Sequence, residues 1–223
     1  MDLMQVTFEL RHAEPLKLFT PHEELFKSLT GKDLPKKEMA LPGFELTIDE
    51  KRMRIVVDPR HTAVVLGQIP NIGYCIDNIM AAIRKINELV KPPPLKRIGV
   101  RSCWVEEYRL SFDELVSTFK QRVFKSNELI EQSRDVGSSF ILNDGQNKMH
   151  LSFGPMELSQ LQTMLLFPPP DLPKVVTYID VDYYTTLDKK VVELATVHEF
   201  VYNGLNNASK QAQNVIVILH QEM

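Results

Sequence analysis

Two runs of three prolines constrain the fold of this chain more than any other feature of the sequence. They occupy residues 92–94 and 168–170. Proline fixes φ and has no backbone N–H, so neither run can lie inside a helix or a central strand. Each run therefore predicts a rigid extended connector, and a strand-like segment follows each one, at 96–108 and at 174–184. The first connector divides the chain into two halves.

The first half begins with the pattern of a strand, a short helix and three further strands. Alternating apolar and polar residues predict the first strand at 5–10. Thr20 and Pro21 predict the start of a short helix that ends near Gly31. Three β-rich runs separated by turn residues then predict an antiparallel meander. These runs cover residues 44–48, 52–57 and 62–66.

After residue 70 the spacing of the apolar residues changes from strand-like to helical, which predicts a long helix at 71–90. Asn71 is the expected N-cap and Pro92 ends the helix. The apolar residues follow one another at intervals of three or four, so they share one face. They are Ile72, Ile76, Ile79, Ile83, Ile86 and Val90. Such a helix is suited to cover one face of a sheet.

The second half repeats this order of elements. After the strand at 96–108, Ser111 and Glu114 form a capping box, and Leu110 with Leu115 supplies a hydrophobic staple, so a helix begins here. Four strands and a long helix at 188–212 follow. The strands cover residues 138–142, 148–153, 161–167 and 175–184, the first two joined by an Asp-Gly hairpin. The apolar stripe of the long helix consists of Val191, Leu194, Ala195, His198, Val201, Leu205 and Ala208.

The two halves together predict an α+β protein with an internal duplication. Each unit is an antiparallel sheet covered by a long helix, with the order β-α-β(3–4)-α. The units are residues 1–95 and residues 96–223, packed as one globular body. This order resembles that of the TATA-binding-protein-like and helix-grip folds, and the resemblance implies a topology rather than an activity.

Short motifs of the second half resemble a sporadically distributed family of uncharacterised bacterial proteins of similar length. The motifs are the Arg-Ile-Gly-Val-Arg run at 97–101, the Tyr-Ile-Asp-Val-Asp-Tyr-Tyr run at 178–184 and His-Glu-Phe at 198–200. The resemblance implies a bacterial origin. It transfers no catalytic residue.

The charge distribution argues against nucleic-acid binding. The formal net charge is −3, with 13 basic and 13 acidic side chains in residues 1–95 and 13 and 16 in residues 96–223. Neutralising phosphates requires a concentrated positive field. The densest basic cluster, Lys96, Arg97 and Arg101, is expected to be a solvated strand face.

Cysteine content and hydropathy predict a cytoplasmic protein. Cys75 and Cys103 lie in apolar stretches and are expected to be reduced core thiols. The acidic, alternating start predicts no secretory signal. Apolar runs such as 164–167 and 215–219 are far shorter than the roughly 20 residues that span a bilayer, so no membrane association is expected.

The pair Asp180 and Asp182 is the candidate metal site. Residues two apart on a strand point to the same face, and paired carboxylates suit Mg²⁺ or Mn²⁺. The alternative is an ordinary charged strand face. His198-Glu199 does not extend the site as a zinc-protease motif, because the required second histidine is Tyr202. His198 is instead expected to be a buried core histidine.

Since no catalytic set emerges, the first functional hypothesis is a non-catalytic protein that acts by association, with itself as a homodimer or with a partner protein. The apolar run at 215–219 is expected to pack within the fold or to pair in that dimer. The second hypothesis is a binding module for a small apolar ligand between sheet and helix. The third is a divalent-metal-dependent enzyme centred on Asp180 and Asp182.

Overall fold

A single antiparallel sheet of eight strands forms the framework of the protein. The structure, a computed structural model, describes residues 1–14, 27, 43–89, 92–109, 111–124 and 127–220. The strands are β1 (Asp2–His12), β2 (Phe44–Ile48), β3 (Met53–Val57), β4 (His61–Gly67), β5 (Leu95–Glu107), β6 (Ser138–Asp144), β7 (Asn147–Glu157) and β8 (Val175–Lys190). Their spatial order is β2-β3-β4-β1-β5-β8-β7-β6. All neighbouring strands are antiparallel.

Five α-helices and one short 3-10 helix accompany this sheet in the described part of the chain. The α-helices are α1 (Ile72–Leu89), α2 (Phe112–Val123), α3 (Glu128–Gln132), α4 (Leu158–Met164) and α5 (Leu194–His220), and the 3-10 helix is Asp49–Lys51. The predicted helix at 20–31 falls outside the described residues except for residue 27, and Val90 and Leu110 also lie outside them.

The main core lies between one face of the sheet, here called the helix face, and helices α1, α2 and α5. The isoleucine stripe of α1 is buried as its spacing predicts, with Ile79 and Ile83 at most 1% exposed. Asn71 caps α1 by accepting a hydrogen bond from the Tyr74 N–H at 2.8 Å, and the capping box predicted at Ser111 opens α2. Burial of these apolar stripes is the main source of stability.

A second, smaller core lies on the opposite face of the sheet, here called the open face. Helix α4 covers one end of this face, where Leu161 and Leu165 pack on residues of β5 and β8. The buried members of this cluster are Cys103, Val105, Leu161, Leu165, Val176 and Tyr178. The rest of the open face carries the polar residues of β1, β5, β7 and β8.

The predicted strand at 161–167 is wrong, because residues 158–164 form α4. Leu161 and Leu165 are four apart and both buried, which is the spacing of a helix. The Gln160 side chain caps the helix by accepting a hydrogen bond from the Glu157 N–H at 2.9 Å. Three strands, rather than four, therefore lie between α2 and α5.

The last helix also differs from its prediction. Strand β8 continues to Lys190, so α5 begins at Leu194 instead of 188. Phe200 is buried, and its ring centroid lies 5.3 Å from that of Tyr183. A residue two positions earlier on an α-helix points to the opposite side. His198 is therefore exposed, and the prediction of a buried core histidine is wrong.

The apolar run at 215–219 is part of α5. Its Val215 and Leu219 are buried, while Val217 is 55% and Ile218 44% exposed. The run thus packs within the fold along one side only.

The predicted duplication appears in the strand order. Strands β2-β3-β4-β1 on one side of the sheet correspond to β6-β7-β8-β5 on the other, and β1 pairs with β5 at the centre. Helix α1 follows β4 as α5 follows β8, and both lie on the helix face. The protein is thus an α+β fold built from two units of antiparallel sheet, each with a long helix.

Candidate functional site

A row of alternating charges crosses the open face at the centre of the sheet. Arg97 on β5 donates to Glu9 on β1 and to Asp182 on β8, both at 2.8 Å. Arg101 donates two hydrogen bonds to the Asp180 carboxylate, each 2.8 Å long. These residues face the same side because they alternate along their strands with apolar residues of the main core. The row joins three strands from both halves of the chain.

Burial and ion pairing act in opposite directions on these groups. Burial raises the pKa of Asp182, although Arg97 and Arg101 oppose the shift. The hydrogen bond to Asp180 raises the pKa of Arg101. Beneath α4, burial raises the pKa of the Cys103 thiol to about 12, while the Tyr178 hydroxyl donates to the Cys103 Sγ at 3.1 Å. This thiol is protonated and shielded, unlike a reactive thiolate.

The structure places Asp180 and Asp182 on one face, as the sequence predicts. Each carboxylate binds an arginine, which already supplies its positive partner. Within the described residues, no group of three or more His, Cys, Asp or Glu side chains is arranged to hold a metal ion. The two carboxylates therefore make a charged strand face in this geometry, and the metal site stays a prediction.

A polar cluster on β6 and β7 lies beside this row and has no counterpart among the sequence predictions. The Ser139 hydroxyl is 2.6 Å from His150 Nε2 and 3.0 Å from the Ser152 hydroxyl. His150 is paired in register with Asp182. Alternation of Ser139, His150 and Ser152 with apolar residues is the signal that places them on one face.

This cluster lacks the geometry of a catalytic triad. A serine nucleophile needs a histidine that a third group orients. The Asp182 carboxylate binds Arg97, and no hydrogen bond joins it to His150 in the described chain. The cluster is also exposed, so it lacks the dry environment that strengthens catalytic hydrogen bonds.

Strand β6 forms an apolar edge of the sheet. It pairs with β7 on one side and has no strand on the other among the described residues. Phe140 is 48% exposed on the helix face and Ile141 67% exposed on the open face. No charged residue and no proline occurs from Ser138 to Asn143. The sequence predicted this strand but not its position at the edge, because strand order depends on distant pairing.

The hairpin geometry determines which backbone groups of β6 point outward. Asp144 pairs with Asn147 across the two-residue turn, where Gly145 has φ of 61°. The two residues that close such a turn form a hydrogen-bonded pair. Along an antiparallel ladder, hydrogen-bonded pairs alternate with pairs that are not hydrogen-bonded. The N–H and C=O groups of Ser139, Ile141 and Asn143 therefore point away from β7. They form a row of outward-pointing backbone donors and acceptors at the edge, where no described strand pairs with them.

One cavity bears on the apolar-ligand hypothesis. Leu10, Ile83, Ile86, Leu95 and Val197 line it between the sheet and the helices, and its volume is about 20 Å³. Such a volume holds about one water molecule and is much smaller than a typical ligand pocket. The structure around it is a filled core.

His12 is a buried polar residue of the helix face that lines the same cavity. It is 5% exposed, and its ring contacts the Pro59 carbonyl at 3.4 Å and the Thr62 hydroxyl at 3.2 Å. Burial lowers its pKa, and the Pro59 hydrogen bond and Asp58 only partly offset this effect. The residue is therefore neutral at pH 7, where its hydrogen bonds satisfy the ring.

Comparisons with known proteins were made by family, by sequence and by structure. In the described residues, no helix combines the length and apolarity needed to cross a membrane. No protein-family model matches the chain. No curated protein matches it either. A solved structure of Methanococcus jannaschii TBP aligns over 98% of this chain and 96% of its own, with 13% identity and a TM-score of 0.36. The fold assignment itself rests on the strand order and on the helices that cover one face of the sheet.

Proposed function

We propose that this protein acts without catalysis, by association with another protein chain through the β6 edge. The observation that supports the proposal is an exposed edge strand with two large apolar side chains, Phe140 and Ile141. The associating chain is a second copy or an extended segment of a partner protein.

Edge strands bind other chains by completing their backbone hydrogen bonds, and side-chain contacts add specificity. Sheets usually protect their edges with charged residues, proline, bulges or a covering segment. Ser138–Asn143 has neither a charge nor a proline, and its pairing with β7 runs without a register shift. An edge of this kind is suited to association.

The other two functional hypotheses receive less support from the described residues. A metal-dependent enzyme at Asp180 and Asp182 would have to displace two arginines. An apolar ligand would need a larger space than the cavity of about 20 Å³ beside His12. Both hypotheses stay predictions.

We also propose a bacterial origin and a cytoplasmic location. The origin is supported by the motifs at 97–101, 178–184 and 198–200. The location is supported by Cys75 and Cys103, which are unpaired and buried. Fractionation of the source cells with an antibody against this chain tests the location, and detection in a secreted or membrane fraction would contradict it.

A labelled peptide with the sequence of residues 137–145 tests the association. We expect fluorescence anisotropy to show that this peptide binds the wild-type protein, because an extended apolar strand can pair with the β6 edge. Ile141→Lys should weaken the binding, since lysine places a charge on the edge.

Val191→Lys is the matched control, because Val191 is 64% exposed, nearly as much as Ile141. It should leave the binding unchanged. A wild-type chain that neither binds the peptide nor associates with itself at high concentration would overturn the proposal.

A further inference from the structure

The β6 edge is complementary to itself in one specific register. In an antiparallel pairing centred on Ile141, this residue lies opposite the Ile141 of a second copy. Ser139 then lies opposite Asn143, and Phe140 opposite Leu142. Apolar side chains meet apolar ones on both faces, and polar side chains meet polar ones. No like charges lie opposite each other, because Asp144, the one charged residue of β6, lies opposite Ser138.

The backbone groups fit the same register. Ile141, Ser139 and Asn143 are the residues whose N–H and C=O groups point away from β7. In the proposed pairing Ile141 lies opposite itself, and Ser139 opposite Asn143. Each of these pairs therefore forms a hydrogen-bonded pair of an antiparallel ladder. A shift by one residue would place outward-pointing groups opposite inward-pointing ones.

We propose that the chain forms a homodimer in which two copies of β6 pair antiparallel about a twofold axis at Ile141. This inference rests on the proposed function and names the occupant of the edge. The pairing joins the two sheets into one continuous antiparallel sheet. It covers the exposed part of Phe140 and the exposed Ile141 side chain. The same patch of each subunit contacts its equivalent, as twofold symmetry requires.

The first test is the oligomeric state by sedimentation velocity at several concentrations. We expect the wild-type protein to dimerise. Ile141→Lys should raise the dissociation constant of the dimer by about tenfold or more, because two lysines would meet at the axis. Val191→Lys should leave the dimer intact.

The second test is thiol cross-linking with a short bifunctional methanethiosulfonate reagent, which reports the register. Opposite residues of a hydrogen-bonded pair have Cα atoms about 5.5 Å apart, and their Cβ atoms are farther apart than those of most disulfides, so a short reagent suits them better than direct oxidation. Ile141→Cys should therefore cross-link to itself when the reagent is added. Ser139→Cys should not cross-link to itself, because the two copies are about 13 Å apart along the strand. A mixture of Ser139→Cys and Asn143→Cys proteins should cross-link. Cys75 and Cys103 are buried and give little background.

The outcomes separate this inference from the proposed function. A dimer that cross-links at Ile141 and in the mixed pair supports both. A dimer without these cross-links, or a monomer that still binds the peptide of residues 137–145, overturns the inference and leaves the proposed function. A monomer that binds no peptide overturns both.

Discussion

Arg97 is the residue on which the polar open face depends most. Its side chain is 17% exposed, binds Glu9 and Asp182, and lies 4.6 Å from the centre of the Tyr184 ring. Removing the guanidinium would leave the half-buried Asp182 carboxylate without its hydrogen-bonded positive partner, and would leave Glu9 with only its ion pair to the more exposed Arg11. Such groups are costly to leave unpaired, whatever the net value of the intact pair.

We predict that Arg97→Gln lowers the free energy of unfolding by about 1–3 kcal/mol. Arg11→Gln should cost less, because the Arg11 side chain is 48% exposed and its partner Glu9 keeps the ion pair with Arg97. Urea unfolding of both variants measures the difference. Equal losses would contradict the central position given to Arg97.

His12 predicts a pH dependence of stability. Burial lowers its pKa in the folded protein below the ordinary value of 6.5. The unfolded chain therefore binds the proton more readily as the pH falls below about 6.5, and the free energy of unfolding decreases down to the folded pKa. Above 6.5 this contribution is fully present. His12→Gln should reduce the slope of stability against pH below about pH 6.5.

The control for this experiment is His198→Gln, a substitution at an exposed histidine. It should keep the wild-type slope in thermal or urea unfolding over the same pH range. A slope that is unchanged in His12→Gln would show that other groups cause the acid sensitivity.

At the scale of single residues, the sequence predicted which face of a strand a side chain occupies better than it predicted which residues that side chain contacts. Every second residue of a strand lies on the same face, so the spacing of Asp180 and Asp182 predicted that they share one. Their partners could not be predicted, since Arg101 is 79 and Arg97 is 85 residues away in the chain. Only the register between β5 and β8 brings them together.

At the scale of elements, α5 lies so close to the sheet that only glycine fits at position 204. A Cβ at Gly204 would lie 2.5 Å from Val100 Cγ1 and 2.8 Å from Tyr183 Cδ1. Alanine favours a helix by about 1 kcal/mol relative to glycine. The steric conflict with β5 and β8 opposes this gain.

We predict that Gly204→Ala lowers the free energy of unfolding by about 1–3 kcal/mol, as overpacking of a core does. The midpoint of urea unfolding measures the change. A more stable variant would mean that α5 can move away from the sheet at no cost.

Helix α4 gives a prediction for the second core. Leu161 is fully buried against Cys103 and its neighbours, whereas Met164 on the same helix is 42% exposed. Leu161→Ala should cost about 2–5 kcal/mol, and Met164→Ala no more than about 0.5 kcal/mol. Loosening of α4 should also speed the reaction of Cys103 with a thiol reagent. An unchanged rate in Leu161→Ala would contradict the covering role of α4.

Length and repetition explain which elements the sequence predicted. Helix α1 shows its apolar stripe over five turns, so its position and buried face were predicted correctly. Helix α4 has seven residues, too few to distinguish its period from that of a strand. In α5 the predicted apolar stripe and the buried face in the structure share Val201, Leu205 and Ala208. The contact between Phe200 and Tyr183 favours the observed face, which leaves His198 exposed.

At the scale of the whole molecule, the central pairing of β1 with β5 unites the two halves. Ten residue pairs join these strands, and the charge row crosses the same boundary. The repeated order of elements was visible in the sequence. The sequence did not show which strands meet at the centre, because pairing between the halves depends on side-chain burial over the entire sheet.

We predict that the protein unfolds in one cooperative transition. Trp104, the one tryptophan, lies on β5 near the centre and is 5% exposed, with its Nε1 donating to the Ser102 hydroxyl at 2.9 Å. Its fluorescence and the far-ultraviolet circular dichroism should give the same urea midpoint. Two separate midpoints would show that residues 1–95 and 96–223 unfold independently.

The central position of β1 also affects the order in which the sheet can be completed during synthesis. On the ribosome, β1 to β4 and α1 emerge before β5, which supplies the second partner of β1. Until Leu95–Glu107 has left the exit tunnel, one side of β1 lacks this partner, and Val6 and Phe8 lack part of their final packing. Incomplete sheets with open edges are prone to aggregate. The strand that ends this vulnerable period is the same strand that carries Arg97 and Arg101.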